Sequence, residues 1–152
     1  MIQRIQSVYL LVAAVFTAIF TFSHLVEIKS GEYLYYITAF GVFDTNSTAE
    51  ALFSTTFFGL FALALVFLKI FIIFLYKNRA IQIRLSIISI VANLGLIGLI
   101  YYLSLNATSQ LESVTSYKIP VIFPLVSVVL LVLAILSIRK DDNLVKSLNR
   151  IR

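Results

Sequence analysis

The stretch LFSTTFFGLFALALVFLKIFIIFLY, residues 52–76, is followed by KNRAIQIR, 77–84, and LSIISIVANLGLIGLIYYL, 85–103. Two long apolar runs are thus divided by a short polar hinge. A helix rises 1.5 Å per residue, so about 20 residues cross a hydrocarbon layer of about 30 Å. Both runs reach or approach that length, and a hinge this short makes their helices antiparallel neighbours. Working outward, Val8–Phe22 and Val121–Ile138 are two further runs of the same kind. The fold class expected is an all-α membrane protein, a four-transmembrane-helix bundle with a small β-prone outer loop.

Composition supports this. Of the 152 residues 61% are hydrophobic and 12% charged, and the mean hydropathy is +1.01; soluble domains carry roughly a quarter charged residues. The chain has room for one domain, 1–152. Its spans are expected at about 6–24, 52–76, 84–104 and 119–138, with outer loops at 25–51 and 105–118 and a basic tail at 139–152. Pro120 and Pro124 fall in the first turns of the last helix, where a missing amide donor matters little. There is no cysteine, which excludes disulfides, thiolate nucleophiles and cysteine-bearing zinc sites.

The net charge of +5 resembles a nucleic-acid signal until the basic residues are placed. Arg4, Lys77, Arg79, Arg84, Arg139, Lys140, Lys146, Arg150 and Arg152 all lie at the ends and the central hinge; the two other connections carry only Lys29 and Lys118, beside five acidic residues. Lys and Arg are retained on the cytoplasmic side, so both termini and the hinge are expected in the cytoplasm and two acidic loops outside, with no nucleic-acid partner. The first run has a second reading, as an export signal cleaved near Thr21-Phe22-Ser23, which would leave three spans; the charge pattern does not require cleavage, and retention as the first helix is preferred.

The first outer loop alternates like paired strands. Val26 to Lys29 and Glu32 to Ile37 flank Ser30-Gly31, a hairpin signal. Ala39 to Phe43 is a candidate third strand, and Ser113 to Tyr117 in the second loop could add an edge. Tyr33, Tyr35 and Tyr36 are candidate partner-binding residues; they and Tyr117 also suit the headgroup region as aromatic anchors. The tail places Leu144, Val145, Leu148 and Ile151 at helical spacing among basic residues, as a surface-lying helix or a plain positive stop would.

Lys69 is the one clear charge inside a run. It lies about 7 Å from the expected centre near Ala64, close enough for its stem to carry the ammonium to the headgroups. The alternative is that it faces protein and pairs with an acid; because no Asp or Glu lies in the runs, that acid would come from another subunit or a lipid phosphate. Lys69 is therefore a candidate partner-binding residue. Ser86, Ser89 and Asn93 share one helical face, Gly95 and Gly98 lie close by, and Ala14 and Ala18 form a small-xxx-small pair continued by Ala13, Thr17 and Thr21. These are candidate helix-packing positions. His24, with Glu27 three residues on, is a candidate for pH sensing but a poor metal set. Asn46-Ser47-Thr48 and Asn106-Ala107-Thr108 match the glycosylation pattern. No catalytic, cofactor-binding or metal-binding residues are assigned.

The opening MIQRIQSVYLL, residues 1–11, and the ending IRKDDNLVKSLNRIR, 138–152, resemble a family of small four-span proteins of Bacteroidota catalogued as domain of unknown function 4293. The resemblance implies a bacterial inner-membrane protein and supplies no activity. Four spans with a larger first outer loop are also similar in architecture to claudin-like tetraspans, without their tryptophan and cysteine signature. The function expected is that of a structural or accessory subunit in the lipid bilayer, binding other membrane proteins or itself. A channel or carrier formed by self-assembly is the second reading and a membrane-embedded lipid-modifying enzyme the third, disfavoured by the want of paired carboxylates.

Overall fold

A computed structural model describes residues 3–30, 33–44, 53–76, 78–111 and 114–149. Helix α1 spans Gln3–Phe22; strands β1 (Val26–Ser30), β2 (Tyr33–Ile37), β3 (Gly41–Asp44) and β4 (Phe53–Ser54) follow; then come α2 (Thr56–Phe74), α3 (Arg79–Leu111), β5 (Val114–Tyr117), a 3-10 turn at Ile119–Ile122 and α4 (Phe123–Asn149). All four α-helices are long and apolar enough to cross a membrane. They run up and down in cyclic order, α1 packing on α2 and α4, and α3 on the same two. The strands gather at one end, the sheet end. The α2–α3 hinge, the start of α1 and the close of α4 lie at the other, the hinge end.

The surface inverts the pattern of a soluble protein. Phe57, Phe67, Phe74 and Ile119 are each exposed by about two thirds or more, whereas Lys69, Gln82 and Asn93 are fully buried. In water such an exterior would be an aggregation surface; against lipid tails it is solvated, and polar side chains turn inward to find partners. Helix α2 is apolar on every side, so its buried face is set by neighbours rather than by contrast with lipid.

The sheet is antiparallel throughout, in the order β4-β3-β2-β1-β5. Val26 pairs with Ile37 and Ile37 with Val42, while Ile28 pairs with Tyr35. Since alternate residues share a face, this set points at the helices and joins Phe20, Phe58, Leu96 and Ile100 in one apolar cluster. The sheet is therefore a lid on the bundle. Between β2 and β3 the Thr38 hydroxyl accepts the amides of Phe40 and Gly41, both at 3.2 Å. The amide of Thr55 donates to the Phe40 carbonyl at 3.2 Å, and its hydroxyl to that of Ala39, also at 3.2 Å. These bonds bring the first turn of α2 against the β2–β3 corner. Gly59 permits it: a Cβ there would stand 2.4 Å from the Phe40 ring.

Several boundaries differ from expectation. Ser30 pairs with Tyr33, so Ser30 belongs to β1 rather than to the turn; the expected role of Gly31 falls outside the described residues. The third strand begins at Gly41 because Thr38 to Phe40 make the corner. Helix α3 has 33 residues, about 50 Å at 1.5 Å per residue. It passes beyond 104 to Leu111, which puts Asn106 within a helix; Asn46 lies outside the described residues. Helix α4 continues to Asn149, so the start of the basic tail prolongs the last helix without a break.

Candidate functional site: a polar hub across four helices

The small face of α1 places Ala13, Thr17 and Thr21 one turn apart, and all three are fully buried. Thr17 meets Ser127 of α4, hydroxyl to hydroxyl at 3.2 Å, and Ser127 donates to the Ala13 carbonyl at 3.1 Å. From α2, Lys69 extends its ammonium to Thr17 Oγ1. It also donates to Asn93 Oδ1 of α3 at 3.2 Å. The Asn93 amide nitrogen then donates to the Ser89 carbonyl at 2.6 Å. One connected chain of hydrogen bonds, Ser127–Thr17–Lys69–Asn93–Ser89, thus passes through every helix. Lys69 is its centre.

This corrects the snorkelling expectation. Lys69 shares a face with Leu65 and Ile72, one turn to either side, and both point inward; its head ends among neutral oxygens of its own chain. An acid for Lys69 was expected from another subunit or a lipid phosphate, outside this chain; among the described residues Lys69 forms no ion pair, whereas Arg79 pairs with Asp142 at 3.6 Å and Glu27 with Lys118 at 2.8 Å. A buried charge requires compensation by pairing or hydrogen bonding, and here a threonine and an asparagine provide hydrogen bonds. Of the other packing candidates, Ser86 and Ser89 are fully buried, Ala14 is buried and Ala18 half-buried. Ser86 bonds the Gln82 carbonyl at 2.8 Å, one turn earlier on α3.

Thr17 and Lys69 have the composition of a lysine-activated hydroxyl nucleophile, but the geometry runs the other way. Lys69 donates to Thr17, and the Thr17 hydroxyl in turn reaches Ser127 or the Ala13 carbonyl at 3.0 Å. A nucleophile would need to give its proton to the amine and to face a substrate. Both residues are fully buried. What the arrangement does chemically is cross-link helices.

The tyrosines separate by strand parity. Tyr35 lies on the lid's inner face, against the apolar cluster. Tyr36 lies on the outer face, stacked between His24 at 4.5 Å and Phe43 at 5.6 Å, ring centre to ring centre. Tyr33 closes β1–β2 as the partner of Ser30, and its side chain is outside the described set. His24 therefore stacks on an aromatic ring rather than pairing with Glu27, which bonds Lys118. No group of three candidate metal ligands occurs among the described residues. Ser127 was not anticipated, although a hydroxyl three residues after Pro124, one of two with Ser137 in an otherwise apolar run, was a usable signal.

A lidded up-and-down bundle with an inward Lys defines the class: a four-helix protein of membrane-spanning character with an antiparallel cap. The chain belongs to the family described as domain of unknown function 4293, whose match covers residues 2–151. No curated protein and no solved structure matches it.

Proposed function

We propose that the protein is a structural or accessory subunit of the bacterial inner membrane, with its termini and hinge in the cytoplasm and the sheet outside, which binds other membrane proteins through the outer face of the lid. The observation that carries this is the division between the two faces of the sheet. One is consumed in sealing the bundle; the other carries the His24–Tyr36–Phe43 stack, which among the described residues stands outside the apolar cluster. Aromatic residues are the favoured anchors of interfaces, since they give large contact area with little loss of side-chain freedom. The buried polar groups of the hub are already engaged in holding the helices together. The orientation rests on the nine basic residues at the termini and hinge against two in the outer connections.

The test is capture of the tagged full chain from native membranes after a membrane-impermeant cross-linker has been applied to cells whose outer envelope is opened. A discrete cross-linked membrane protein is expected. Tyr36→Ala is expected to lower its recovery about tenfold, the scale of a lost anchor, without changing the melting temperature of the isolated chain. Equal recovery with Tyr36→Ala, or no cross-linked species, would overturn the reading.

A further inference from the structure

The hinge end holds a second polar group of different character. Gln6 of α1, Gln82 of α3 and Asp141 of α4 are each more than nine-tenths buried. Among the described residues, Gln6 Oε1, Gln82 Oε1 and both carboxylate oxygens of Asp141 are enclosed without a hydrogen-bond donor. In Gln82 the amide nitrogen donates to the Ile72 carbonyl at 3.3 Å, which identifies Oε1 as the free atom. Buried polar atoms are nearly always partnered, so four enclosed acceptors at one end call for a positive or hydrogen-bonding occupant.

The helix register brings these residues to one level. The Arg79 guanidinium, in the first turn of α3, donates to the Asp141 main-chain carbonyl at 3.3 Å, and Gln82 follows one turn later on the same side. Leu10 packs with Leu131 and Ala134. Gln6 lies one turn from Leu10, and Asp141 two turns from Ala134, both toward the hinge end on the faces already in contact. Arg79 forms no ion pair with the Asp141 carboxylate; its Nη1 goes to the Asp141 carbonyl and to Asp142 Oδ1 at 3.6 Å.

We propose that Gln6, Gln82 and Asp141 bind a monovalent alkali cation, of the sodium class, which ties α1, α3 and α4 together at the hinge end. The donor set is made of oxygen alone, which selects hard cations over transition metals. Its formal charge is −1, from a single carboxylate with two neutral amides. That balances one monovalent ion and leaves a divalent ion with an excess positive charge in a low-dielectric site. Unlike the partner-binding reading, this proposal concerns the opposite end of the molecule and stands without it.

The purified full chain in detergent is melted in sodium, potassium and N-methylglucamine chloride at equal ionic strength, and radioactive sodium binding is measured alongside. A melting temperature at least about 4 °C higher in sodium than in N-methylglucamine is expected, as for a ligand well above its dissociation constant. Asp141→Asn should abolish both this difference and the bound sodium; Gln82→Leu should reduce both if Asp141→Asn fails to fold. Identical melting in all three salts with no bound sodium would overturn the proposal. That result would assign the acceptors to water or to a basic side chain of the chain itself, since neither depends on which cation is supplied.

Discussion

At the sheet end, polar side chains meet in local pairs, backed by bonds to main-chain carbonyls of the same helix. Thr108 meets Thr115 at 2.6 Å, Ser104 meets Tyr117 at 2.8 Å, and Glu27 meets Lys118 at 2.8 Å. In the middle of the bundle, the hub is one connected chain in which each member depends on the next. The pairs lie at the border of the apolar region, where water can replace a missing partner. The hub lies where it cannot, because lipid and packed side chains offer no hydrogen bonds. The same kinds of residue should therefore carry very different energetic weight in the two regions.

The hub offers the largest effect. Asn93→Leu removes an acceptor from an ammonium that stays buried, and truncating the partner of a buried charge costs about 3–5 kcal/mol. Lys69→Met removes the charge itself. It leaves Thr17 Oγ1 and Asn93 Oδ1 as neutral acceptors without a donor, at about 1–3 kcal/mol, offset in part by relief of the charge's desolvation. Asn93→Leu is thus expected to destabilise the isolated chain more than Lys69→Met does, and the double variant to recover much of the Asn93→Leu loss. Denaturant unfolding in mixed micelles reads the order. A larger loss for Lys69→Met would mean that the charge is compensated elsewhere and that the hub is not one coupled unit.

Why the hub was only half legible follows from the solvent. In a soluble helix an apolar stripe marks the buried face. In α2 lipid and protein interior are equally apolar, so position along the run gave the depth of Lys69 but nothing gave its face. The face was marked on the other helices, by the Ala13–Thr17–Thr21 and Ser86–Ser89–Asn93 series, because small and polar residues are what helices present to each other in lipid. The hairpin was readable in full except for its register, since Val26, Ile28, Tyr35 and Ile37 alternate against a one-sided core. Strand β4 was hidden: Phe53 and Ser54 lie at the head of an apolar run and are extended where they pair with Val42 and Gly41 beside the Thr55 tie to the corner. The orphaned acceptors at the hinge end lie in the polar margins of the runs, where Gln and Asp ordinarily face water.

An intermediate effect is expected where the lid meets the bundle. Gly59→Ala puts a methyl 2.4 Å from a Phe40 ring carbon and 3.0 Å from the Ala39 carbonyl oxygen. Helix propensity alone would favour Ala by about 1 kcal/mol. The Ala39 carbonyl is held by the corner that Thr38 and Thr55 organise and the Phe40 ring packs beside Phe22 at 6.2 Å, so both must give way together, and overpacking of this kind costs about 1–3 kcal/mol. The net expectation is a destabilisation, with faster amide exchange in β2 and β3 than in β1. A stabilised variant would show that the lid slides on the bundle and that the two are less tightly joined than the hydrogen bonds at Ala39 and Phe40 indicate.

The smallest effect comes from making one chemical change in both regions. Thr115→Val keeps the shape and strand preference of the side chain and deletes only the hydroxyl that meets Thr108. Thr108 retains a bond of 2.7 Å to the Ser104 carbonyl, and Thr115 is half-buried at the sheet's edge strand. The loss is therefore expected to stay below about 0.5 kcal/mol, as for surface substitutions generally. Thr17→Val deletes the same atom from the hub. There the Lys69 ammonium loses one acceptor, with neither water nor another helix to replace it, while Ser127 keeps only its bond to the Ala13 carbonyl, and about 1.5–3 kcal/mol is expected for a hydrogen bond to a charged group. Melting temperatures of the two variants, measured side by side, separate the regions without any change of residue type. Equal shifts would show that water reaches Lys69 as readily as it reaches the sheet, and the hub would then be a hydrated cleft rather than a sealed cross-link.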